Sequence, residues 1–234
     1  MSSTSNAVPH TNISPLQLNP TTNEPFLRLL SHVHTNIIIT PPRPTDGARH
    51  VEMLNDPRVY PFLSSPPYPY ALEHAKWWLD RAIPLSEKLM AELDSDNPGP
   101  LDGCPVTYIR EIQEDGSDLL IGTIVFRLSD LPFELEPYGT TPEDNRDVWT
   151  VGFYLASSHH GQGIMSDALN TVLTQWAIPR MGVHKMVVNA HEGNTGSVRV
   201  FEKLGFKLRE KSPDAVVDTR GVATPVHVLD WVML

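Results

Sequence analysis

At 234 residues, 40% of them hydrophobic, the chain can bury a core and form one large domain or two small ones. Lys and Arg number 18 against 28 Asp and Glu, a net charge of −10, which argues against a nucleic-acid binder and leaves two readings: a field that steers cations, or a surface that only keeps the chain soluble. The single cysteine, Cys104, excludes an internal disulfide and a cysteine metal site and fits a reducing, cytoplasmic setting, and no run of about 18 apolar residues exists to span a bilayer.

Residues 1–26 are rich in Ser, Thr, Asn and Pro, without the apolar core of a signal peptide and without Lys or Arg before Arg28. So polar a segment is expected to be a disordered tail that adds nothing to folding, followed by one domain over 27–234. The sequon Asn12-Ile13-Ser14 reads as chance. Asn36–Thr40 is a β-branched strand stopped by Pro41-Pro42. Thr45-Asp46 caps a helix through Ala48, Val51, Met53 and Leu54, and Asn55-Asp56-Pro57 ends it. Four prolines crowd Pro61–Tyr70, and the aromatic, Pro-rich Tyr60–Tyr70 loop lines an acceptor pocket or merely covers the sheet. Ala71–Leu93 is helical, with Leu72, Ala75, Trp78 and Leu79 on one face and a kink or break at Pro84.

Val106–Gln113 and Leu119–Leu128 are strands around an Asp115-Gly116 turn. Ser129–Val148 is a long loop with the acids Asp130, Glu134, Glu136, Glu143, Asp144 and Asp147; it steers a cationic acceptor or is an inert insertion. Trp149–Ala156 is a strand, Gly163–Arg180 a helix, Lys185–Ala190 a strand and Gly196–Leu204 a helix. Phe206–Glu210 and Val226–Leu234 close the chain around a polar loop, Ser212–Thr224. Antiparallel strands followed by a β–α–β–α–β run predict a single mixed α/β domain.

The informative stretch is Val151–Leu169. A strand enters Gly161-Gln162-Gly163, and a helix with the apolar face Met165, Leu169, Val172, Leu173 and Trp176 starts there. Glycines let the backbone approach a ligand, and the free N–H groups and dipole of the helix start favour an anion such as a pyrophosphate. A purely structural turn is the plainer reading of so short a motif. The Lys-Ser/Thr of a P-loop is missing, and Ser166 stands where a dinucleotide fingerprint needs a third glycine.

Gly152-Phe153-Tyr154-Leu155, Gly161-Gln162-Gly163-Ile164-Met165-Ser166, Asn194-x-x-Ser197 and Glu202-Lys203-Leu204-Gly205-Phe206, in this order, resemble the GNAT superfamily of acetyl-CoA-dependent N-acetyltransferases. They are most similar to the branch of ribosomal-protein N-terminal acetyltransferases, over about residues 36–234. One departure is Ser158, where the superfamily usually carries Gln or Arg. The resemblance implies a mostly antiparallel sheet flanked by helices, with a splay between the strand before the cradle and the next one. It implies acetyl-CoA as co-substrate, its pyrophosphate held by His160, Gly161, Gln162, Gly163, Ile164 and Met165, and its arm along Tyr154, Leu155 and Ala156. Asn194 and Ser197 then lie beside the thioester, with Ser197 as donor to the CoA sulfur; Asn194 also reads as a helix N-cap, a reading compatible with that role. No acid lies on Trp149–Leu155 to act as base. His191, which titrates near neutrality, is the candidate, with ordered water as the alternative.

The expected acceptor is a small-molecule amine or a peptide N-terminus, acted on by direct transfer and without a metal, nucleic acid or membrane. The expected state is a monomer or homodimer. The competing reading is a catalytically weak acyl-CoA-binding sensor on the same fold.

Overall fold

The computed structural model describes residues 13–93, 99–131, 135–139 and 146–233. Among them, nine strands form one sheet: β1 (Gln17–Leu18), β2 (Pro25–Arg28), β3 (Ile37–Thr40), β4 (Tyr108–Ile112), β5 (Asp118–Leu128), β6 (Val148–Leu155), β7 (Lys185–His191), β8 (Lys207–Val217) and β9 (Ala223–Val232). The spatial order is β1-β2-β3-β4-β5-β6-β7-β9-β8, and every pairing is antiparallel except β6 with β7. All four residues of β3 and Leu120–Thr123 with Ile124 of β5 are buried, as strands covered on both faces must be. The covering helices are α1 (Gly47–Leu54), α2 (Leu72–Leu93), α3 (Ile164–Val172) and α4 (Thr195–Lys203). This is the expected mixed α/β domain. No helix among the described residues is long and apolar enough to cross a membrane.

The N-terminal expectation fails over residues 13–26. Residues 1–12 lie outside the described residues, but 13–26 are built into the domain. Ile13 and Leu16 are buried in the main core, β1 pairs with β2, and Arg43 donates two bonds to Glu24 at 2.7 and 2.6 Å. A few apolar side chains in a polar stretch suffice when a partner surface awaits them, which composition averaged over the segment cannot reveal.

Other elements are corrected more locally. The polar loop expected over Ser212–Thr224 is mostly β-structure: β8 runs on to Val217, β9 begins at Ala223, and only a short turn joins them. Helix α2 is a single element with Pro84 inside it, and Leu72 on its expected apolar face is exposed while Ala75 and Leu79 are buried. Helix α3 continues through a π-helical turn, Leu173–Ala177, into Ile178–Met181, with Pro179 just beyond the wider turn. The Asp46 carboxylate does not cap α1. It accepts the Arg43 N–H at 2.7 Å and pairs with the buried guanidinium of Arg110 at 2.8 Å, because a buried charge must be matched.

Candidate active site

Strands β6 and β7 pair only at Val148–Lys185 and Trp149–Met186. Beyond that point β6 stays with β5 as far as Leu155, and β7 stays with β9 as far as His191. A parallel pair that parts after two residues leaves a wedge between its carboxyl ends, and both following loops open at that edge. The expected splay is therefore present.

A single 3₁₀ turn, Ser157–His159, leads from β6 to the glycines. Gly161 and Gly163 have φ of +74° and +85°, and Gly163 is the N-cap of α3. A Cβ at Gly161 would meet no protein atom within 4 Å, and one at Gly163 only Cε1 of His34 at 3.7 Å. Inside the protein, then, backbone conformation and not crowding calls for glycine. The first helical bond runs from the Asp167 N–H to the Gly163 carbonyl at 3.1 Å. The N–H groups of Ile164, Met165 and Ser166 precede it and have no i−4 acceptor within the helix, so the turn gathers backbone donors at the positive end of a helix. Beside it lies a depression lined by Gly163, Ser166, Asp167, Asn170, Lys203 and Leu204. The N–H donors of the turn and Lys203 fit a phosphate-bearing ligand, and the Asp167 carboxylate opposes one.

The side chains of the turn hold its own shape. His160 Nε2 lies 2.9 Å from the Leu155 carbonyl, and Gln162 Nε2 donates to the Ser158 carbonyl at 3.0 Å. The Ser157 hydroxyl donates to Asp56, whose carboxylate is held well below the usual range, first by Arg58. Two of the main-chain groups expected along the arm of the cofactor are thus already engaged: the Leu155 carbonyl by His160, and the Ala156 N–H by the Ile121 carbonyl at 2.7 Å. The Tyr154 side chain points elsewhere, with its hydroxyl 2.5 Å from His50 Nδ1 on α1.

Across the wedge, Asn194 caps α4: its Oδ1 accepts the Ser197 N–H at 3.1 Å. The cap reading of Asn194 holds, and it fixes Ser197 in the first turn, half-buried. His191, at the end of β7, is buried. Its Nε2 lies 2.8 Å from the hydroxyl of Ser64, and its Nδ1 has no hydrogen-bond partner among the described residues. Burial lowers its pKa, opposed by the Asp218 carboxylate, which favours the neutral ring. Ser64 itself is exposed, in the Pro-rich segment. The tip of the β8–β9 hairpin grips that segment: the Thr219 N–H donates to the Leu63 carbonyl at 2.9 Å and its hydroxyl to the Tyr60 carbonyl at 3.1 Å, and Tyr60 stacks on Tyr68.

Sequence reasoning missed Ser64, Thr219 and the Ser157–Asp56 contact. All three join segments about a hundred residues or more apart, and no local pattern marks them. Among the described residues, His34 meets Asp167, His159 meets Glu111 at 3.4 Å, and His160 meets the backbone. In the acidic loop, Asp130 is paired with Arg127 at 2.6 Å and Asp147 with His184 and Lys185 at 2.9 and 3.1 Å; Glu134, Glu143 and Asp144 lie outside the described residues. Cys104 is buried, donates to the Val106 carbonyl, and has its thiol pushed up to about 12, far from a nucleophilic thiolate.

Comparison with known proteins adds a family. Residues 36–207 match the acetyltransferase (GNAT) domain. A curated relative, the probable N-acetyltransferase YjcK of Bacillus subtilis, is 36% identical over 56 residues, 24% of this chain and 30% of its own. The chain thus matches under a third of that relative's length. A GNAT-family acetyltransferase from Bacillus anthracis superposes with a TM-score of 0.60 at 14% identity, covering 88% of this chain and 98% of its own. RimL, a ribosomal L7/L12 alpha-N-protein acetyltransferase in complex with coenzyme A, does so with a TM-score of 0.59 at 15% identity and the same coverage of 88% and 98%.

Proposed function

The chain belongs to the GNAT acetyltransferase family, and from that premise we propose that it moves an acetyl group from acetyl-CoA to a primary amine, of a small molecule or a peptide N-terminus, by direct transfer. The observation that carries this reading is the juxtaposition of the β6–β7 wedge with the glycine turn at the start of α3. The wedge suits an extended arm, and the turn suits a pyrophosphate. Gln162, Gly163, Ile164 and Met165 would supply backbone donors, with His160 and Gly161 shaping the turn and Tyr154 and Leu155 lining the wedge.

The chemistry follows from what acyl transfer needs. The amine must be neutral when it attacks the thioester carbon, and the departing sulfur must gain a proton as the C–S bond breaks. His191 is suited to take the proton of the amine, because burial favours its neutral ring. It reaches the surface through the exposed hydroxyl of Ser64, a path for that proton. Ser197, oriented by the Asn194 cap, would donate to the sulfur. The buried, protonated Cys104 is unsuited to carry the acetyl group, which favours direct transfer.

The test is thiol release from acetyl-CoA with a panel of amines and peptides. Turnover with at least one primary amine is expected. Tight CoA binding without turnover would favour the acyl-CoA-binding sensor, and absence of CoA binding would overturn both readings.

A further inference from the structure

An anion cradle with a carboxylate at its mouth is a conflict. Asp167, in the first turn of α3, lines the depression beside Gly163, and like charge there repels a phosphate. The loop between β2 and β3 meets this carboxylate. His34, from that loop, contacts Asp167 through Nδ1, and its Nε2 lies 3.1 Å from the Gln162 carbonyl in the middle of the cradle. Both partners are acceptors: an ionised carboxylate and a backbone carbonyl have no proton to give. A neutral imidazole has one N–H and can satisfy only one of them. Both bonds together require the doubly protonated ring. The contact is held in place, since the same loop is tied to α3 a turn further on, where the Leu30 N–H donates to Thr171 Oγ1 at 3.0 Å and Thr171 in turn donates to the Asp167 carbonyl at 2.8 Å. His34 is largely buried, 13% exposed, against 30% for Asp167.

We propose that His34 is the positioning residue of the cofactor cradle: as an imidazolium it cancels the charge of Asp167 and anchors the Gln162 carbonyl, so that the N–H groups of the turn face an incoming diphosphate without a competing anion. This rests on the acetyl-CoA reading above. It assigns a role in the site to the N-terminal hairpin, which the sequence motifs do not include.

Titration calorimetry with CoA, and with acetyl-pantetheine, which has the arm but no phosphates, tests it on the full chain. His34→Gln leaves Asp167 unbalanced and is expected to weaken CoA binding about tenfold or more, with acetyl-pantetheine unchanged. In the double variant His34→Gln/Asp167→Asn no carboxylate remains, and CoA affinity is expected to return to within about threefold of the wild type. A merely structural contact predicts the opposite, a double variant as weak as the single one, and that result would overturn the proposal. So would a folded His34→Gln chain with unchanged CoA affinity, or an equal loss for both ligands. A wild-type chain that binds neither ligand would instead overturn the proposed function itself.

Discussion

His50 on α1 is 1% exposed, its ring held by the hydroxyls of Tyr154 at 2.5 Å and Tyr108 at 3.2 Å, and the indole N–H of Trp78 donates to the same Tyr108 oxygen at 3.0 Å. Desolvation lowers its pKa from 6.5 to about 4, partly opposed by Asp46. Between those values the unfolded chain carries the proton and the folded chain does not, so stability falls as pH drops through this window, by about 3 kcal/mol in all at ~1.4 kcal/mol per pH unit. Urea unfolding at pH 7 and pH 4.5 should show this loss, and His50→Gln should remove most of it; equal slopes in both chains would refute the burial argument. His191 is lowered in the same direction for the same reason. As base it must be neutral, so log kcat/KM should fall more steeply with decreasing pH, by one proton, in the wild type than in His191→Gln. The variant should lose about 10²–10⁴-fold in kcat, as removal of a general base does. A variant with the same slope and rate would leave the base role to water.

The N-terminal segment carries the element-scale prediction. Leu16 is 5% exposed in the main core, so Leu16→Ala should cost about 2–4 kcal/mol, a fall in melting temperature of about 5–15 °C for a chain of this size. An unchanged melting curve would show that the segment does not pack in solution. What could be read from the residues follows the range over which they act. Strand β3, the glycine turn and the Asn194 cap were legible because β-branching, positive φ and N-cap chemistry are local. The packing of Ile13 and Leu16, the extension of β8 and β9 and the Ser64–His191 pair were not, because each depends on a partner surface remote in sequence. Helix α2 kept Pro84 in its interior although the residue alone argues for a break; packing of Ala75, Leu79, Leu89 and Leu93 outweighs one lost hydrogen bond.

At the scale of the molecule, the net charge of −10 steers a cationic acceptor or only keeps the chain soluble, and Asp130 and Asp147 are paired with local partners. If the field steers the acceptor, its KM should rise with salt up to and beyond ~0.15 M, where the screening length is about 8 Å, while a neutral amine shows no such dependence. A KM insensitive to salt would confine the charge to solubility. The fold brings the glycine turn, the wedge and His191 together at the carboxyl ends of β6 and β7, in the interior of the sheet, and acetyl-CoA is proposed to bind there. Titration of CoA into the wild type and Gly163→Val tests it most directly, because valine cannot comfortably adopt φ of +85° and the turn must change shape. The folded variant is expected to bind at least about tenfold more weakly, ~1.4 kcal/mol. A folded Gly163→Val chain with the CoA affinity of the wild type would contradict it.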